Sequence, residues 1–297
     1  MKQYQVFSES IPCGETIAWR EAGYGRKAVV LLHGNMSSSV HWQTTIEALE
    51  DKYWVYAPDM RGFGDSSYNQ PFDSLHELAL DIEEFIDQRG IDRFTVLGWS
   101  TGGGVAMEIA ADLKDRVEKV ILLDSVALTG YPMFQKDERG MPIPGKSLQT
   151  KAEVAADPVQ VLPILKAYAE GNREMLRSTW NMLIYNLRQP SAEDYEIYLD
   201  AIMKQRNLVD VDWSLLTFNM TNLSTPSAPG SNRAQLITCP VVIIQGGKDL
   251  VVPPAWAQNT AEYLGDRAKL IMIENAGHSA ITDDFDTYIR IILNELS

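Results

Sequence analysis

The chain has 297 residues, 45 % of them apolar and 22 % charged, an ordinary globular mix long enough for one large α/β unit carrying an insertion. Its formal net charge of −14 argues against nucleic acid and anionic membranes as partners. Two cysteines, Cys13 and Cys239, and four histidines are too few and too scattered for a zinc site, so no metal or cofactor is expected.

The first residues, "MKQYQVFSESIPCGE", hold no apolar signal-peptide core, and no apolar run nears the roughly 18 residues of a membrane span. A soluble, cytoplasmic protein with reduced thiols is expected. The segment "QYQVFSESIPCGETIAWREAG" predicts two antiparallel strands at a sheet edge. Short apolar, non-alternating runs follow at "AVVLLHG", "YWVYAPD", "FTVLGWS" and "VEKVILLDS". Strands buried on both faces have this character. Between them, Leu75, Leu78, Ile82, Phe85 and Ile86 share one helical face, and Gly90 is a natural stop. Strand alternating with helix predicts a mostly parallel sheet flanked by helices.

The alternation breaks after the sixth strand. No strand is expected from Asp124 to Pro240, and the stretch is helical in pattern and rich in Met, Trp and Tyr. It begins with the Pro- and Gly-rich "GYPMFQKDERGMPIPGK". It ends with "NLSTPSAPGSNRAQ", which reads as a linker. We expect a helical cap over residues 128–231, set on a core formed by 1–127 and 232–297. Two more strands, "PVVIIQGGKD" and "AKLIMIENAGH", and a last helix near 282–296 complete the core.

Ligands of such sheets lie beyond the C-terminal strand ends. There the sequence places His33, Asn35, Asp59, Arg61, Ser100, Asp124, Asp249 and His278. Gly98-Trp99-Ser100-Thr101-Gly102 is a Gly-x-Ser-x-Gly nucleophile elbow, which holds a serine in a strained turn between strand and helix. A serine hydroxyl is a weak nucleophile and needs an adjacent base. Among the histidines, His41 falls in the helix after the first loop. His76 sits in a solvated first helical turn, and His33 precedes Gly34 at a strand end. His278, in the small-residue loop "NAGHSA", is the candidate base.

The motifs "LLHGNMSSS", "DMRGFGDS", "GWSTGG", "GGKDLVVP" and "NAGHS", in this order, resemble the α/β-hydrolase superfamily, specifically its capped, carboxylesterase-like serine hydrolases. The resemblance covers almost the whole chain and implies a triad in the order serine, acid, histidine. Asp249 is the favoured acid and Asp124 the alternative. It also implies an oxyanion hole from the backbone N–H groups of Asn35 and Thr101, a loop-shaping role for His33, and a structural role for Asp59 and Arg61. Related dehalogenases and epoxide hydrolases attack with Asp; the serine at position 100 argues against both chemistries.

Candidate substrate contacts are Met36 and Trp99 beside the elbow and Phe134 and Trp180 in the cap. Tyr131, Met133, Met141, Met182, Leu183 and Tyr185 form the wider apolar set. Asp210 and Asp212 are expected in a solvated loop or helix cap; the alternative, under an aminopeptidase reading, is that they hold a substrate ammonium. The expected reaction is hydrolysis of a small, mostly neutral acyl ester. Rival activities are those of an acyl-homoserine lactonase, a C–C bond hydrolase or a proline aminopeptidase. The competing class is a ligand-binding scaffold with an idle triad.

Overall fold

Eight strands form one twisted sheet in a computed structural model that describes residues 1–297. They are β1 (Val6–Ser10), β2 (Thr16–Ala22), β3 (Ala28–Leu32), β4 (Trp54–Pro58), β5 (Phe94–Trp99), β6 (Val117–Leu123), then β9 (Val241–Gly246) and β10 (Ala268–Ile273). Their spatial order is β1-β2-β4-β3-β5-β6-β9-β10. The β1–β2 and β2–β4 pairs are antiparallel and the rest are parallel. From β3 the chain first moves one way to β4, then returns past β3 to β5. The crevice beyond β3 and β5 is therefore the topological switch point where α/β sheets bind ligands.

Period-two alternation divides each strand between two cores. Val30, Leu32, Val96, Val120, Leu122 and Ile243 face one cluster with the helices Leu75–Gln88 and Thr101–Asp112. Val29, Leu31, Leu97, Ile121, Leu123 and Ile244 face the other, with the helix Phe285–Leu296. The helix Leu75–Gln88 starts where Ser74 accepts the Glu77 N–H, and all five predicted apolar positions are buried. The last helix is split. Asp284 caps Phe285–Leu296, and a short turn, Ala280–Asp283, precedes it.

Residues 128–231 carry five helices: Lys151–Ala155, Leu162–Glu170, Arg173–Leu183, Ala192–Ile202 and Leu208–Thr217. Three expectations for this insertion change. The Pro- and Gly-rich start contains a hairpin, β7 (Phe134–Lys136) and β8 (Pro142–Ser147). Its turn is fixed by Asp137 Oδ1, which accepts the Arg139 and Met141 N–H groups. The tail is no loose linker. Asn219 Nδ2 donates to Leu223 O at 2.7 Å, Ser231 Oγ donates to Asn219 O at 2.7 Å, and Ala228 is buried. Short polar side chains bonded to their own backbone hold this loop.

Third, Asp210 is buried rather than solvated. It accepts Lys151 Nζ at 2.7 Å, the Phe72 N–H at 3.1 Å and the Tyr68 hydroxyl, tying the insertion to the loop after β4. Asp210→Ala leaves the buried Phe72 N–H without an acceptor, so urea unfolding is expected to show a loss of about 1–3 kcal/mol. Asp73, which pairs with Lys151 at 2.7 Å from an exposed position, serves as control; Asp73→Ala should cost less than about 1 kcal/mol. Equal losses would show that the burial of Asp210 carries no weight. No helix is long and apolar enough to cross a membrane.

Candidate active site

The serine between β5 and the helix Thr101–Asp112 has φ 55° and ψ −119°, a backbone conformation that costs about 1–3 kcal/mol. The flanking glycines make the turn possible. A Cβ on Gly98 would lie 2.2 Å from Gly102 O, and one on Gly102 would lie 2.3 Å from Leu32 O. The parallel register pairs Leu32 with Gly98, which brings the loop after β3 beside Ser100. A Cβ on Gly34 would meet Ser100 Cβ at 3.1 Å. In that neighbourhood the backbone N–H groups of Asn35 and Thr101 have no acceptor in the protein.

His278 follows β10, and its Nδ1–H donates to Asp249 Oδ2 at 2.8 Å. The Asp249 carboxylate is fully engaged. Oδ1 accepts the Val251 and Val252 N–H groups at 2.7 and 2.9 Å, and Oδ2 also accepts Gln245 Nε2 at 3.0 Å. Burial pulls the His278 imidazole down, but the charge and hydrogen bond of Asp249 outweigh it, and the net shift is upward from 6.5. Ser100 Oγ makes no hydrogen bond within 3.5 Å, so serine and histidine are not joined in this structure.

Asp124, the alternative acid, is buried at φ 45°, and its Oδ1 accepts the Gly246 N–H at 2.7 Å. Desolvation, then the neighbouring Asp249 charge, push its carboxyl well above the usual range. It holds β6 to β9, and the histidine bonds to Asp249. His33 and Asp59 shape loops: His33 Nε2 accepts the Met60 N–H at 3.0 Å, and Asp59 Oδ1 accepts the Ser39 N–H at 2.7 Å. Arg61 pairs with Asp81 at 2.5 Å. His76 is in the first turn of Leu75–Gln88 and part-exposed, as expected; it lies 3.4 Å from Glu108 in a network with Arg233 and Asp112.

A cavity of about 440 Å³ opens above Ser100. Asn35, Met36 and Thr101 line it with Tyr131, Met133, Met182 and Leu183 from the insertion. The other proposed contacts lie elsewhere. Trp99 is 2 % exposed, and its Nε1–H donates to His278 O at 2.8 Å, so it braces the histidine loop. Trp180 is 1 % exposed and packs in an aromatic stack with Trp99, His41 and Tyr198. Phe134 lines a separate cavity of about 490 Å³ beside Trp256 and Tyr263, which contains none of Ser100, Asn35 or Thr101. Met141 is exposed and Tyr185 is buried away from the serine.

Sequence reasoning missed Met175 and Thr179, which line the site with Met182 on one face of the helix Arg173–Leu183, while Leu176 and Trp180 are buried on the adjacent face. The spacing i, i+4, i+7 against i, i+4 was the available signal. It also missed Leu250, Val251 and Val252 after β9. Asp212 lies on the helix Leu208–Thr217 and its Oδ1 accepts Asn35 Nδ2 at 3.1 Å, so its expected solvated position is corrected to the cavity wall.

The family described as "alpha/beta hydrolase fold" matches residues 27–285. The chain belongs to the α/β-hydrolase family. Several relatives of this α/β hydrolase are named for different activities. A provisionally assigned carbamate hydrolase, RutD, of Escherichia coli is 26 % identical over 273 residues, 91 % of each chain. A soluble epoxide hydrolase of Corynebacterium sp. is 36 % identical over 116 residues, 39 % of each chain, so that match spans well under half of either protein. Among solved structures, an esterase from Exiguobacterium antarcticum superposes with a TM-score of 0.75 at 21 % identity, over 98 % of this α/β hydrolase and 99 % of the esterase. An enol-lactonase from Burkholderia xenovorans gives 0.69 at 18 % identity, over 98 % and 99 %. Likeness at this identity speaks to fold alone.

Proposed function

We propose that this α/β hydrolase is a cytoplasmic serine hydrolase that cleaves small carboxylic esters through an acyl-serine intermediate. The observation that carries the proposal is a strained serine on an apolar cavity wall, beside two backbone N–H groups that have no acceptor. Ser100 Oγ attacks the acyl carbonyl while His278 Nε2 takes its proton. The carbonyl oxygen, now negative, accepts the Asn35 and Thr101 N–H groups. Asp249 fixes the imidazole tautomer and stabilises the imidazolium. His278 returns the proton to the departing alcohol, and water then repeats the sequence to free the acid. Residues 128–231 act as a cap that shields the acyl group. The elbow residue being Ser rather than Asp favours this chemistry over epoxide opening.

The test is steady-state hydrolysis of p-nitrophenyl acetate and butyrate by the folded protein. Turnover at a rate above that of a heat-inactivated control is expected; none would defeat the proposal. The pH profile carries a second prediction. The base works only when neutral, so kcat/KM should fall as pH drops through a value above 6.5, the direction in which Asp249 moves His278. In Asp249→Asn the imidazole, followed by NMR titration, should lose a proton more easily, because burial remains and the charge is gone. An unchanged titration would contradict the pairing.

A further inference from the structure

Asp212 is the sole Asp on the cavity wall, which has no Glu, Lys, Arg or His. The hydrolysis described above makes no use of it. One oxygen, Oδ1, accepts Asn35 Nδ2 at 3.1 Å; Oδ2 has no hydrogen-bond partner in the protein. No Lys, Arg or His is among the groups that act on its charge. Lys136 pairs with Asp157 at 3.0 Å, and Lys151 pairs with Asp210 and Asp73, each at 2.7 Å. The Tyr131 and Tyr168 phenols and the Asp157 carboxylate also face Asp212, and none supplies positive charge. The side chain is partly buried against the apolar wall, and a carboxylate in such a place without a cation ionises less readily. Desolvation raises Asp212 to about 7, the Asn35 hydrogen bond opposes that, and Asp157 adds to it.

The position gives this unpaired carboxyl a meaning. Asn35 offers its backbone N–H beside Ser100 and its side chain to Asp212. Asp212 therefore lies one side chain away from where the acyl carbonyl binds. We propose that Asp212 is a specificity-determining residue that pairs with a protonated amine on the acyl chain of the ester, a few bonds from the scissile carbonyl. This rests on the serine-hydrolase proposal and names its substrate class. An ammonium group supplies the missing cation and a charge-assisted hydrogen bond to Oδ2. The chain's net charge of −14 adds a field that draws cationic substrates.

The experiment compares methyl esters of 3-aminopropanoate and 6-aminohexanoate with their neutral isosteres, butyrate and heptanoate, by methanol release from pH 6 to 8. At pH 8 one amino ester should exceed its isostere by roughly 10- to 100-fold in kcat/KM. Pairing favours the ionised carboxyl, so that ratio rises as pH passes about 7 and fades in acid. The His278 titration is common to both esters and cancels in the ratio. Asp212→Asn keeps an acceptor for Asn35 and removes the charge, so the ratio should collapse to one or below and lose its pH dependence. No amino-ester preference in the wild type overturns the proposal. So does a variant that slows both esters equally, which marks Asp212 as a scaffold for Asn35. Hydrolysis of neither ester, together with no turnover of p-nitrophenyl esters, removes the hydrolase proposal itself.

Discussion

Ser100→Ala is expected to lose all fluorophosphonate labelling and to lower p-nitrophenyl butyrate turnover by roughly 10⁴- to 10⁶-fold. The residual rate reflects the two backbone donors and substrate binding, which the substitution leaves in place. His278→Ala should lose as much, because nucleophile and base act as a unit. Ser100→Ala with His278→Ala should therefore be no worse than either alone. Asp249→Asn should cost roughly 10⁴-fold through the wrong tautomer. Trp99→Phe provides a useful contrast. It removes the 2.8 Å bond to His278 O while keeping the packing, so its loss should be far smaller. A fluorophosphonate adduct found by intact mass on Ser100→Ala would place the nucleophile elsewhere and sink the assignment.

Gly102→Ala is expected to cost far more stability than a methyl group added at a glycine with open space around it. The new Cβ would meet Leu32 O at 2.3 Å and His33 O at 2.6 Å. Both are backbone atoms at the end of β3, which is hydrogen-bonded on both sides within the sheet. No side chain can swing away, so the helix must leave the strand or the strand must leave its partners. A loss beyond about 4 kcal/mol is expected, against a typical total of about 5–15 kcal/mol. Gly90→Ala is the control. Its Cβ meets nothing within 4 Å, and the cost is only that of a φ of +64°, about 1–2 kcal/mol. If urea midpoints place the two variants together, the close approach is not what selects glycine at 102.

The core of this fold was legible because its strands are buried on both faces, which leaves runs such as "VVLL" and "VVII" that few other contexts produce. The elbow was legible because its steric demand is local: a serine flanked by glycines, two residues away on either side. His278 stood out because the sequence holds few histidines and this one follows the last strand. The insertion was less legible. Trp99 and Trp180 look like substrate contacts because an apolar side chain does not say which of two apolar environments it enters. The alternation of Met175, Thr179 and Met182 with Leu176 and Trp180 separates the cavity face from the packed face only once the helix is known. Asp212 looked solvated because its partner, Asn35, is 177 residues away in sequence.

The aromatic stack of His41, Trp99, Trp180 and Tyr198 bears on how such an enzyme diverges. His41 and Trp99 come from the loop after β3 and from the elbow; Trp180 and Tyr198 come from two helices of the insertion. His41 and Tyr198 stack at 4.5 Å between ring centroids. The two parts of the chain thus share one interior, and a foreign insertion transplanted between residues 128 and 231 would arrive without its half of the stack. Exchange of whole modules is therefore a poor route to new substrates for this scaffold. Single changes at Met175, Thr179 and Met182 are a better one, since they reshape the cavity from a helix face that the stack does not use.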